Sequence, residues 1–282
     1  MLKKINLLII FLSFVIQINL FAESQGNPGE VFPLLVQPNK DYTNLTIEID
    51  GSMYELVPLP FSKQGQYINV RDRNIYIIEK DFGESRITIQ DSSKVTLSDR
   101  DAQRAYKESQ LIKKAISISS TQFKSNFKFL KPVDGLISSR YGKKRYINGL
   151  PRSPHLALDI AAPTGTKIIS PEFGKIILIG DFFYSGNYVV IDHGYGLITS
   201  YSHLSKVAVK EGQLIDKGQK IGEVGSTGRV TGPHLHWTVY LNQIRINPEI
   251  LIDKTYLDTL LELNINIISV SYTHLTLPTT TI

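Results

Sequence analysis

Five of the six histidines of this 282-residue chain fall between positions 155 and 236. His155 and Asp159 are four residues apart, a spacing that turns both side chains to one face of a strand or a helix. The flanking Pro154 and Pro163 favour strand or loop. His234 and His236 open a run that continues Trp237-Thr238-Val239-Tyr240. Read as a strand, its period of two points both imidazoles to one face and Leu235 to the other. His203 ends the run Thr199-Ser200-Tyr201-Ser202-His203, where alternation puts Tyr201 on its face. Three His/Asp ligands with a fourth position left for water are the pattern of a catalytic zinc site, where the metal activates water and polarises a carbonyl. Two further histidines beside such a site could act as general base and as donor to a developing oxyanion. A lone His-x-His is more often packing than a site, and a lone His-x-x-x-Asp is weaker still; the five groups together carry the weight. His193, in the tight turn Asp192-His193-Gly194-Tyr195-Gly196, reads as structural.

Composition narrows the chemistry. There is no cysteine, so disulfides, a thiol nucleophile, thiolate zinc and iron–sulfur clusters are excluded, and a metal must be held by imidazole and carboxylate. Apolar residues make up 42% and charged residues 20%, which predicts a globular chain. The formal net charge is +5. It includes Lys3 and Lys4, which precede an apolar run from Leu7 to Ala22 broken only by Ser13, Gln17 and Asn19. A basic head, an apolar stretch of this length and a small residue at its end read as a secretory signal peptide; an uncleaved anchor is the other reading. Without residues 1–22 the net charge falls to +3, too weak to point to nucleic acid.

The elements that must position the candidate residues are mostly strands. Residues 24–40, rich in Gly, Pro, Asn and Gln, read as a lead-in loop. From 45 to 97, short β-type runs (Thr46–Ile49, Tyr67–Val70, Asn74–Ile78, Arg86–Ile89) alternate with turns, predicting a small antiparallel sandwich. Ser98-Asp99-Arg100-Asp101 has the form of a helix N-terminal capping box. Ala102, Ala105, Tyr106, Leu111, Ile112, Ala115 and Ile116 follow at helical spacing. This predicts a helix over 98–118 linking two β regions. From Phe129 onward, strands over 167–170, 174–180, 188–191, 197–203 and 234–241 predict a second β domain. Gly225 and Gly228 read as turn residues, since no P-loop lysine follows.

Four separated motifs give the downstream half a resemblance to the lysostaphin/LytM-type zinc endopeptidases. They are Pro132–Gly135 with Ser138–Gly142, then His155–Thr166, then Gly186–Gly194 with Tyr201–Leu204, and last Gly225–Gly228 through Thr231–Trp237. The resemblance covers about Phe129 to Leu251; upstream, a looser likeness of layout matches the β-domain that precedes this unit in Gram-negative members. It implies zinc held by His155, Asp159 and His236, with His203 and His234 as the catalytic pair. His234 would take a proton from the attacking water, and His203 would stabilise the oxyanion. The implied fold is mainly β: an N-terminal small β-sandwich, a linker helix and a C-terminal antiparallel β-sheet forming an open groove. The implied substrate is the peptide cross-link of bacterial peptidoglycan, at D-alanyl–meso-diaminopimelate bonds. One departure is Ala157, where the family often has glycine; one methyl is expected to be tolerated. Tyr146, in the loop before His155, could face a substrate.

These readings give the expected layout: signal peptide 1–22, β-sandwich-like domain 23–97, helical linker 98–128, zinc endopeptidase domain 129–256 and a tail 257–282. Residues 269–282, uncharged and Thr-rich, resemble translated adapter read-through. With the signal removed no membrane span is expected, and the protein would work in the periplasm or cell envelope. The alternatives are a non-catalytic activator of wall amidases and a wall-binding module with a structural metal.

Overall fold

The computed structural model describes residues 24–38, 42–91, 93 and 95–260. The expected signal peptide at 1–22 and the suspect stretch 269–282 lie outside them. The upstream strands are β1 (Ser24–Gly26), β2 (Val31–Val36), β3 (Thr46–Ile49), β4 (Ser52–Pro58), β5 (Gln66–Val70), β6 (Arg73–Ile77) and β7 (Glu84–Ile87). Helix α1 spans Asp99–Ile116. Then come β8 (Leu136–Ser139), β9 (Lys144–Ile147), β10 (Leu150–Arg152), β11 (Leu158–Ala161), β12 (Lys167–Ile169), β13 (Gly174–Phe182), β14 (Gly186–Asp192) and β15 (Leu197–Val207). The chain goes on through β16 (Leu214–Ile215), β17 (Lys220–Val224), β18 (His234–Leu241), β19 (Ile244–Ile246) and the short α2 (Glu249–Ile252).

The protein is mainly β, as the sequence predicts. A large sheet runs in the order β16-β13-β14-β15-β18-β11-β8, joined by β12, β17 and β19. Upstream lie two three-stranded sheets, β1-β6-β5 and β2-β4-β3. The lead-in expected at 24–40 is not a plain loop: it supplies β1 and β2. Glycine and proline around the segment hide the apolar run Val31-Phe32-Pro33-Leu34-Leu35-Val36. Pro33 is tolerated because β2 is an edge strand, where a missing donor leaves no central ladder unpaired.

Helix α1 starts as its capping box requires: the Ser98 hydroxyl accepts a hydrogen bond from the Asp101 amide at 3.2 Å. Only its last turns bury apolar side chains. Ile112 and Ile116 pack against Phe182, Tyr188, Val190, Ile198 and Tyr240, whereas Tyr106 and Leu111 remain exposed. Glu108 fixes the helix to the large sheet by accepting from the Phe183 amide at 2.7 Å.

The buried core passes from one half to the other without a break. Val31, Leu45, Ile47, Tyr54 and Leu56 belong to the same apolar cluster as Leu158, Ile160, Leu235, Trp237 and Val239. The Tyr256 hydroxyl bonds back to the Val31 amide at 3.3 Å. A shared core couples the two halves energetically. Leu56→Ala is therefore expected to cost about 2–5 kcal/mol and to lower one common unfolding transition. Calorimetry showing a separate upstream transition, with the remainder melting at the wild-type temperature, would contradict this.

Candidate active site

Register sets the site. Asp159 on β11 is the direct cross-strand partner of His236 on β18, and Ala161 of His234. On the other flank, Ser202 of β15 pairs with His236. His234 and His236 line the groove, while Leu235 is fully buried beneath, as period two predicts. His155 precedes β11 and is held by its own backbone: its amide bonds to the Lys143 carbonyl at 2.9 Å, and its carbonyl accepts from the Gly142 amide at 2.7 Å.

His203 reaches the site by a different route. Alternation would place it with Tyr201, which faces the core beside Trp237. The pairing of β14 with β15 slips between Asn187 and Val189, and His203 takes φ +69°. A bulge of this kind inserts one residue and re-aims the next side chain. The His203 ring accordingly lies 4.9 Å from that of His234 and 5.8 Å from that of His236, centroid to centroid. The expectation that Tyr201 shares the His203 face is thus corrected. Left-handed backbone is costly for a histidine; here it is braced by the His203 amide bonding to the Ser185 carbonyl at 2.7 Å. Gly228 (φ +78°) closes in beside it, where a Cβ would sit 2.4 Å from the Gly186 amide nitrogen. That close approach gives the glycine turn a packing role.

Three ligand atoms converge. Asp159 Oδ1 is 3.0 Å from His155 Nε2 and 2.7 Å from His236 Nδ1, and the two nitrogens are 3.3 Å apart. Tetrahedral zinc with bonds of about 2.0–2.1 Å has donor–donor edges of roughly 3.3 Å, close to this triangle. The tautomer supports the same use. His155 Nδ1 donates to the Arg140 carbonyl at 3.0 Å, with the Ser139 hydroxyl at 3.2 Å, so its Nε2 presents a lone pair to the centre. Converging nitrogen donors and a carboxylate are suited to holding a cation between them. His203, His234 and His236 form a second group whose ligand atoms lie within 4.8 Å of one another, but it contains no carboxylate.

Burial opposes charge on Asp159, yet His236 and His155 outweigh it and hold the carboxyl well below the ordinary carboxylate range. Burial, with help from His236 and His234, pushes His203 down to about 3. Both His203 and His234 commit Nδ1–H to a backbone carbonyl, Thr227 at 2.9 Å and Gly232 at 2.8 Å. Their Nε2 atoms are therefore free to take a proton. These carbonyl partners carry no side-chain signature and are invisible in the sequence.

Around this centre the groove is walled by Ser138, Ser139, Arg145, Tyr184 and Arg229 and, from the upstream half, Ser85 and Ile87. The upstream wall exists because β7 pairs in parallel with β9. On β9, Arg145 and Ile147 face the groove. Tyr146, between them, turns away and stacks under the Arg86 guanidinium at 4.2 Å, so it does not take the substrate-facing place considered for it. Sequence reading singled out none of the arginines; strand pairing brings Arg145 to the site, and the loop before β18 brings Arg229.

His193 is structural, as its turn suggests. It is buried, with Nδ1 2.7 Å from the Phe173 carbonyl and Nε2 2.8 Å from the Thr199 hydroxyl. Burial pushes it down to about 4 from 6.5. The unfolded chain then binds this proton more readily than the folded one. The stability gained by keeping His193 neutral is complete above pH 6.5 and is lost as the pH falls toward 4, up to about 3 kcal/mol. Urea titrations of wild type and His193→Gln at pH 4.5 and 7.5 check this: the wild type should lose more stability between the two, and equal losses would refute it.

Residues 153–248 match the family model described as Peptidase family M23. The chain is 43% identical over 119 residues to peptidoglycan DD-endopeptidase ShyA of Vibrio cholerae, covering 41% of this chain and 28% of that protein. It is 44% identical over 94 residues to DD-carboxypeptidase/endopeptidase Mpg of Neisseria meningitidis, covering 33% of this chain and 22% of that one. The chain thus spans less than a third of the length of either curated relative. A crystal structure from Pseudomonas aeruginosa described as a peptidase M23 aligns with a TM-score of 0.59 at 32% identity, covering 83% of this chain and 96% of that one.

Proposed function

The chain belongs to peptidase family M23, and from that premise we propose that it is a zinc endopeptidase that cleaves peptide cross-links of bacterial peptidoglycan, at D-alanyl–meso-diaminopimelate bonds. The observation that carries the reading is the donor triangle of His155, Asp159 and His236 with two more imidazoles beside it. Those three residues would hold the zinc. When bound, the metal supplies Lewis-acid polarisation of a carbonyl and a lowered pKa for water. The DD-endopeptidase named among the relatives supports the substrate class. A wall substrate also fits export to the cell envelope, and no helix among the described residues is long and apolar enough to cross a membrane.

The chain's own residues divide the proton work. His234, oriented by Gly232, accepts the proton of the attacking water at Nε2 and returns it to the leaving amine. His203 lies deeper, and its Nδ1–H is already committed to Thr227. Burial and the neighbouring imidazoles keep it neutral in the resting site, so it donates to the oxyanion from Nε2 only after taking up a proton there, a charge that the developing oxyanion beside it would favour. Ser139 and the Arg140 carbonyl position the His155 ring, a role whose loss weakens metal binding.

Metal content separates these roles. His155→Ala and Asp159→Ala should lose the bound zinc. His203→Ala and His234→Ala should keep about one zinc per chain while hydrolysis falls about 10²–10⁴-fold. Elemental analysis checks the metal, and mass spectrometry of muropeptides released from isolated sacculi identifies the bond. Stoichiometric zinc with no cleavage of any muropeptide would overturn the reading; loss of zinc from His234→Ala but not Asp159→Ala would move the metal to the second group.

A further inference from the structure

Beyond the donor triangle the groove continues along the same face of the sheet, past Ser200, Ser202 and Thr238. Four arginines line this stretch, Arg145, Arg152, Arg229 and Arg245, and no carboxylate among the described residues does. Arg245 is engaged with Tyr240: its guanidinium lies 5.6 Å from the ring centroid and its Nε 3.5 Å from the hydroxyl. The other three are brought together from two sides. Arg145 on β9 and Arg152 on β10 are direct cross-strand partners in their hairpin. Arg229 comes from the loop before β18, where its guanidinium stacks 4.1 Å from the Tyr184 ring centroid. Arg145 and Arg229 also line the part of the groove that holds Asp159, His234 and His236.

Like charges directly opposite on paired strands destabilise a sheet; Arg145 is half-buried, which adds desolvation, while Arg152 is exposed at the rim. Burial lowers Arg229, Tyr184 opposes this, and the charges of Arg145 and Arg152 lower it further; burial likewise lowers Arg145, partly offset by the Asp159 carboxylate. A cationic cluster of this kind, open to a groove, is suited to an anion that would neutralise it. Arginine's planar fork favours a carboxylate held by two parallel hydrogen bonds.

We propose that Arg145, Arg152 and Arg229 form a carboxylate-binding subsite of the groove, which selects cross-links whose amine-side residue carries a free carboxylate on the carbon bearing the scissile nitrogen. The subsite rests on the endopeptidase reading for its substrate. Diaminopimelate joined through one of its amines has such a carboxylate; a lysine side chain in the same place has none, and an amidated diaminopimelate has lost its charge. The arginines make the discrimination by pairing with that group, while proton transfer stays with His203 and His234.

Two measurements on the zinc-loaded full chain test this. First, kcat/KM is compared for synthetic cross-linked stem peptides with the carboxylate free or converted to carboxamide. Wild type should prefer the free acid at least tenfold. Arg152→Gln and Arg229→Gln should each reduce that ratio severalfold, through a raised KM on the free acid. Arg152→Gln relieves the paired like charges but gives up the 3.4 Å hydrogen bond to the Val95 carbonyl, so its melting temperature is measured alongside to separate a changed preference from misfolding. Arg152→Lys, which keeps the charge, should retain part of the preference. Equal rates on both substrates, or variants that slow both alike, overturn the subsite. Second, calorimetry follows binding of the uncross-linked diaminopimelate stem peptide and its carboxamide, which needs no turnover. At least tenfold tighter binding of the acid supports the subsite even if neither dimer is cleaved, an outcome that would overturn the endopeptidase reading instead. Equal affinities overturn the subsite whatever is cleaved.

Discussion

Asp159 faces His155 and His236 from within the sheet, and this depends on the pairing of β11 with β18. A slip of one residue would turn Asp159 to the opposite face and put Leu235 where an imidazole belongs. Leu158, Ile160, Leu235 and Trp237, all fully buried, hold the register, because a slip would carry them into the groove. The apolar positions of these two strands and the polar ones are thus one specification: core packing aligns the donors, and the donors occupy the only face that packing leaves open. The same reasoning extends to β15, where Ser202 opposite His236 lies on the groove side and Tyr201 on the core side.

Wherever local pattern decides the structure, the sequence was readable. The alternation of His234, Leu235 and His236 predicts their faces. The capping box at Ser98 marks the start of α1 to the residue. The four motifs between 132 and 237 point to the fold and to the donor triangle, because they carry side chains at fixed spacing. Legibility ended where conformation or remote pairing decides. His203 reaches its neighbours only through a bulge with φ +69°, which alternation does not foresee. The carbonyls of Arg140, Thr227 and Gly232 fix tautomers with groups that every residue possesses. Val31–Val36 was masked by the glycine and proline around it. Which face Arg145 and Tyr146 take follows from pairing with Ser85 and Arg86 of β7, far upstream in the chain.

Two kinds of electrostatic tension coexist in the groove. At the donor triangle, imidazole lone pairs and a buried carboxylate that repel one another converge, and a cation between them would resolve the tension. At the arginine hairpin the tension has the opposite sign and is left to an incoming anion. Their adjacency gives the groove a polarity along its length, from lone pairs and a carboxylate at one end to guanidinium groups farther along the sheet.

The parallel pairing of β7 with β9 has a mechanical side. The hairpin β9–β10 belongs to a separate three-stranded sheet, β10-β9-β7, whose far edge is a segment from the upstream half. Asn148 adds a clasp, exchanging two hydrogen bonds with the backbone of Ile89 at 2.8 and 3.1 Å. The width of the groove is therefore a property of a joint between distant parts of the chain. A force or a binding event that shifts the segment around 84–89 would be transmitted as leverage to the wall that carries Arg145, while the strands that hold His236 and Asp159 stay in place.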